Sequence, residues 1–106
     1  MTRKFAHPAE EVFAKILNFY GIEWYYEPTT FVLRTDEEGL TRKGFTPDFY
    51  IPIYDVYVEI TVMGKPQKKR KKISETLEMY PELKIILMAK NDMEELSKRY
   101  SFLFVN

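Results

Sequence analysis

Two acids, Asp48 and Glu59, stand on the arms of one hairpin that is evident in the amino-acid sequence. The first arm is Thr46-Pro47-Asp48-Phe49-Tyr50-Ile51 and the second is Val56-Tyr57-Val58-Glu59-Ile60-Thr61-Val62. Both are rich in β-branched and aromatic residues, and Pro52-Ile53-Tyr54-Asp55 marks the reversal. Symmetric closure of that turn pairs Ile51 with Val56, and counting outward brings Asp48 opposite Glu59. Like charges opposed across a sheet cost stability, because their Cβ atoms stand only about 4.5–5.5 Å apart. Two arrangements relieve the cost. A divalent cation can bind between them, since Mg²⁺ takes hard oxygen ligands and one or two protein carboxylates. Alternatively, both acids are solvated and pair with some of the sixteen basic residues.

Alternation along the second arm sends Val56, Val58, Ile60 and Val62 to one face and Tyr57, Glu59 and Thr61 to the other. Glu59 thus rides on a strand with an apolar back. A third acid comes from the helix that His7-Pro8-Ala9-Glu10-Glu11 opens, with proline and glutamates suited to a first turn. Val12, Phe13, Ile16, Leu17 and Tyr20 form its apolar stripe, ended by Gly21. Glu10 continues that inward line while Glu11 falls with Lys15 and Asn18 on the wet side, so Glu10 either joins a site or merely serves the helix terminus.

Cations cluster in one place. Lys68-Lys69-Arg70-Lys71-Lys72 begins a helix over 68–80 that Pro81 stops, and the acids Glu75 and Glu78 follow. That order opposes the helix dipole. An anion such as phosphate bound at the helix start would explain it; a basic solvated face is the other reading.

The elements around these residues follow in order. Strand is expected over 23–27 and 30–34 with a break or bulge near Pro28, then a mobile polar loop over 35–44. A loop over 63–67 precedes the basic helix. Residues 84–89 lack alternation, as a central strand buried on both faces does. Asn91 or Asp92 caps a last helix through Tyr100, and residues 101–105 add an edge strand.

Composition sets the bounds. A chain of 106 residues forms a single domain over 1–106. Sixteen basic and sixteen acidic residues leave no net charge, so a case for nucleic acid rests on local clustering. The absence of Cys excludes disulfides, zinc-thiolate sites and Cys nucleophiles, and it suits a reducing cytosol. His7, the single histidine, cannot by itself build a histidine metal site. No stretch approaches a membrane span, and the start Met1-Thr2-Arg3-Lys4-Phe5 lacks a signal peptide's apolar run. A soluble cytoplasmic protein is expected.

Helix, three antiparallel strands, helix and central strand, with Pro47-Asp48 on one hairpin arm and Glu59 on the next, resembles the PD-(D/E)XK nuclease superfamily. The likeness runs from about His7 to Met88. The stretches from His7 to Ala14, Tyr20 to Pro28, Pro47 to Pro52 and Val58 to Thr61 look like small bacterial members. The resemblance implies an α/β, restriction endonuclease-like fold (αβββαβ), a mixed sheet flanked by helices. It implies that Asp48, Glu59 and the Ile60 carbonyl hold Mg²⁺, with Mn²⁺ able to replace it, and that Glu10 completes the acidic cluster. The family's lysine two residues after the second acid is Thr61 here. Lys69 or Lys72, one turn apart on the next helix, would supply that cation, with Gln67 and Lys65 as weaker candidates. Lys68, Lys69, Arg70, Lys71, Lys72, Arg42 and Lys43 would contact backbone phosphates. The implied activity is Mg²⁺-dependent endonucleolytic hydrolysis of nucleic acid, DNA before RNA, and a homodimer would let both strands be cut. The rival readings are an inactive nucleic-acid-binding module of the same fold and a protein-interaction domain.

Overall fold

The computed structural model describes residues 5–105; the reading of the chain's start falls partly on residues 1–4 and lies outside them. Helix α1 (Pro8–Phe19) starts where His7 Nδ1 accepts the Ala9 N–H at 3.0 Å and ends before Gly21, whose φ of 67° is left-handed. It buries Glu10, Phe13, Ala14, Ile16 and Leu17. Tyr20, expected on that stripe, is exposed and donates to or accepts from the Tyr100 hydroxyl at 2.7 Å.

Strands β1 (Tyr25–Tyr26), β4 (Phe49–Ile51), β5 (Val56–Thr61) and β6 (Ile85–Ala89) form a mixed sheet in the order β1-β4-β5-β6. The first three are antiparallel, and β6 runs parallel to β5. The hairpin register is the expected one: Ile51 faces Val56, Tyr50 faces Tyr57 and Phe49 faces Val58. A 3₁₀ turn over Pro52–Tyr54 closes it, with Asp55 left-handed at φ 49°. Asp is among the few residues with side chains that tolerate that conformation.

Strands β2 (Phe31–Thr35) and β3 (Thr41–Phe45) leave this sheet and pair as a separate ribbon. Two expectations are corrected here. The strands around Pro28 belong to different sheets, because Glu27 turns left-handed at φ 47° and Pro28 cannot donate to a ladder. The loop over 35–44 is only a turn. Asp36 Oδ1 accepts the N–H groups of Glu38 and Leu40 at 3.0 and 2.8 Å, which folds 36–40 tightly and frees Thr41 onward to pair.

Core side chains Phe13, Ala14 and Leu17 of α1, and Met93 of α3 (Lys90–Arg99), cover the sheet face made by Phe49, Ile51, Val56, Val58 and Ile60. The opposite face meets the ribbon and α2 (Pro66–Met79). Phe31 packs edge-on against Tyr57 at 5.1 Å and near Tyr80 at 5.3 Å, and the Tyr80 hydroxyl donates to the Val32 carbonyl at 2.9 Å. The protein is therefore mixed α/β, a mixed sheet flanked by helices.

Three further expectations change. Helix α2 begins at Pro66, two residues early, so Pro66 and Gln67 take its first positions and the basic run extends into the second turn. Lys68 and Lys69 then stand in the first turn, and Arg70, Lys71 and Lys72 fall in the second. Strand β6 lies at the sheet edge rather than its centre, and none of its residues is buried, Ile86 being 47% exposed, so its unbroken apolar run is not that of a strand covered on both faces. Residues Ser101–Phe104 form a 3₁₀ turn, closed by Leu103 N–H to the Tyr100 carbonyl at 3.0 Å, instead of a strand. The last helix starts at Lys90, and Asp92 accepts the Ala89 N–H at 2.8 Å.

Phe49 is the ring around which the core closes, fully buried and edge-on to Phe13, Trp24 and Tyr26 at 5.1, 5.4 and 5.5 Å. Phe49→Ala removes that centre and lowers stability by about 3–5 kcal/mol, read as a fall in the urea midpoint with an unchanged slope.

Candidate functional site

The hairpin register carries Asp48 and Glu59 to the same sheet face, one step beyond the Phe49–Val58 pair. Both are buried, at 9% and 3% exposure. Each carboxylate takes a backbone N–H from the other's arm. Asp48 Oδ2 accepts from Ile60 N at 2.7 Å, and Glu59 Oε1 accepts from Asp48 N at 3.1 Å. A strand residue's N–H and C=O leave on one edge, so the Ile60 carbonyl also faces the Asp48 side. The Asp48 carbonyl in turn accepts the N–H of Glu27, the residue held left-handed after β1. Three strands thus fix Asp48.

Helix α2 delivers the cation. Lys69 Nζ lies 2.8 Å from Glu59 Oε2, on the helix face that also buries Ile73 and Thr76. Of the two lysines expected to reach back from this helix, Lys69 meets Glu59. Lys72 does not; it is half-buried and lines a cleft of about 230 Å³ with Lys43, Lys68, Lys71 and Glu75. Lys65 and Gln67 are exposed at the helix start.

Glu10 is buried at 5% exposure and accepts a short hydrogen bond from the Tyr26 hydroxyl, which itself accepts the Ala6 N–H at 3.1 Å. Its charge reaches Asp48. Among the described residues, however, no three His, Cys, Asp or Glu side chains are grouped to hold a metal ion. Asp48 and Glu59 form a two-acid centre, with Glu10 beside it. Tyr26 is the partner that sequence reasoning missed: an aromatic residue in a strand reads as core, and nothing local ties it to Glu10.

Burial is the main reason the Asp48 carboxyl is pushed up to about 7. The Ile60 N–H opposes that rise, while the charges of Glu59 and Glu10 add to it. Among the described residues Lys69 pairs with Glu59 and no ion pair reaches Asp48, and two carboxylates with a backbone carbonyl are a donor set that suits Mg²⁺.

Other expected phosphate contacts are partly engaged within the protein. Arg42 pairs with Asp36 at 2.7 Å and Lys43 with Glu75 at 2.5 Å, which holds Glu75 below the usual carboxylate range. Arg70 is exposed. A separate cleft of about 520 Å³, lined by His7, Val62, Lys90, Met93 and Glu94 among others, does not include the acid pair. No helix among the described residues is long and apolar enough to cross a membrane. Compared with family models, curated proteins and solved structures, the chain matches none.

A carboxyl that holds its proton more tightly when folded stabilises the fold at low pH. That contribution is complete below the unfolded value near 3.8 and is lost as pH rises through about 7. Asp48→Asn keeps an acceptor for Ile60 N without the charge. In EDTA its Tm exceeds the parent's at pH 8 by roughly 4–8 °C, the shift that about 1 kcal/mol gives, and the gap closes at pH 4 in a thermal melt series.

Proposed function

We propose that this protein is a Mg²⁺-dependent endonuclease of the PD-(D/E)XK type that hydrolyses phosphodiester bonds in nucleic acid, DNA in the first instance. The observation that carries the reading is the buried Asp48–Glu59 pair with Lys69 at its side. Topology supports it as well. With the ribbon set aside, the elements run α1, β1, β4, β5, α2, β6, the αβββαβ order that this reading expects.

In this reading Asp48, Glu59 and the Ile60 carbonyl hold the ion. Bound Mg²⁺ supplies Lewis-acid polarisation of the scissile phosphate and a more acidic attacking water. Lys69 supplies the ammonium that Thr61 cannot, approaching from a helix rather than from the strand. Its fixed position suits stabilisation of charge that develops on phosphoryl oxygens. Glu10, steadied by the Tyr26 hydroxyl, adds to the rise of the Asp48 carboxyl and so to the site's demand for a cation. Lys68, Arg70, Lys71 and Lys72 add phosphate affinity that carries no sequence information.

A second reading, a nucleic-acid-binding module that cuts nothing, draws on one fact: Lys69 already neutralises Glu59. Cleavage assays separate the two. Labelled oligonucleotides are cut with Mg²⁺ or Mn²⁺ and left intact in EDTA; Asp48→Asn and Glu59→Gln abolish cutting, and Lys69→Ala slows it by about 10²-fold. Mn²⁺ also raises the Tm of the parent at pH 8 but not that of Asp48→Asn. Binding without cleavage under every metal condition overturns the nuclease reading.

A further inference from the structure

Strand β6 is the open side of the sheet. The other edge, β1, is blunted: it has two residues, and left-handed Glu27 and then Pro28 follow it. Strand β6 has five residues without a proline or a charge, pairs with β5 alone among the described residues, and buries none of them. Its backbone shows which groups are left over. The Lys84 carbonyl accepts the Tyr57 N–H of β5 at 2.9 Å, and the N–H and C=O of a strand residue leave on one edge, alternating from residue to residue. Ile86 and Met88 therefore turn their backbone groups to β5, while Ile85, Leu87 and Ala89 turn theirs outward. Asp92 takes the Ala89 N–H at 2.8 Å, which ends the free edge there. Ile85 and Leu87 remain, each with a donor and an acceptor aimed away from the sheet.

Two outward residues with one between them are self-complementary. In an antiparallel pair, Ile85 of one copy exchanges both hydrogen bonds with Leu87 of the other, and the two-fold axis falls at Ile86, where the Cα atoms approach to about 4.5 Å. Side chains and charges agree with that axis. Ile86 is 47% exposed and, with Phe13, Val56, Val58 and Met88, borders a cavity of about 440 Å³ on the α1 face, so two Ile86 side chains that meet there take apolar surface out of water. Counted four residues outward from Ile86, exposed Glu82 stands on one side and exposed Lys90 on the other. The same axis carries each toward its opposite charge in the second copy. A chain with no net charge adds no long-range repulsion between copies.

We infer that β6 is a dimer interface, at which a second copy of this chain adds its own β6 in antiparallel register about Ile86 and the two four-stranded sheets become one. The inference is independent of the nuclease reading. Because Glu59 lies beside Leu87 in the β5–β6 register, the pairing sets both acid pairs on the same side of the joined sheet.

Sedimentation velocity of the full chain without metal tests it. The parent runs as a dimer at micromolar concentration. Ile86→Lys puts two ammoniums at the axis and raises the dissociation constant by more than about 100-fold, while a thermal melt shows the chain still folded. The sequence has no Cys, so Ile86→Cys carries a single thiol that oxidation joins to its twin across the axis, whereas Leu40→Cys, exposed at the ribbon turn, stays unjoined. A parent that remains monomeric up to about 1 mM, a dimer that Ile86→Lys leaves intact, or oxidation that joins both thiols alike overturns the inference. A dimer that cuts nothing in Mg²⁺ instead overturns the nuclease reading and leaves this one standing.

Discussion

Two carboxylates are held side by side, out of water, by the backbone of the hairpin that carries them. Asp48 reaches across to Ile60 N–H and Glu59 reaches back to Asp48 N–H, so each acid is gripped by the other's strand. Those bonds offset part of the cost of burying like charges, and the remainder shows as the raised Asp48 carboxyl. Much of the surrounding structure serves this contact. The α1 face supplies an apolar floor, β1 pins the Asp48 carbonyl through Glu27, and α2 brings one ammonium to Glu59.

Charge at the site is divided unevenly. Among the described residues Glu59 has the ammonium of Lys69, whereas Glu10 and Asp48 take hydrogen bonds from neutral groups, the Tyr26 hydroxyl and the Ile60 amide. A hydrogen bond from a neutral group leaves the charge uncompensated, and nearby carboxylates raise its cost. The imbalance is local, for the chain as a whole has as many cations as anions. The ammonium at Glu59 comes from the neighbouring helix, while the strand itself has Thr61 two residues on.

The hairpin was legible because several local signals agree. Its arms alternate, its turn has Pro and Asp, and the register that follows from them pairs Ile51 with Val56. The inward position of Glu10 followed from helical spacing, whereas the sequence left Lys69 and Lys72 as alternatives and the packing of α2 is what brings Lys69 to Glu59. The ribbon was not legible, because one left-handed Glu27 decides which sheet the next strand joins, and glutamate gives no hint of that backbone. Strand β6 shows the limit of pattern: an unbroken apolar run reads as a central strand, yet this one lies at the edge with no residue buried. The Tyr26–Glu10 bond needed the strand order, since Tyr26 takes its place opposite Phe49 only once β1 docks on β4.

The short 3₁₀ turn between Ile51 and Val56 has a bearing on how this chain can diverge. Side chains in a strand change face with every residue, so a single insertion or deletion that slipped the pairing by one would turn one acid toward the apolar floor and leave the other behind. Loops elsewhere can lengthen by any number, whereas this one tolerates only changes that preserve parity. Left-handed Asp55 acts as the counter that keeps the parity, and descendants of this sequence should vary at the ribbon tip long before they vary in the length of this turn.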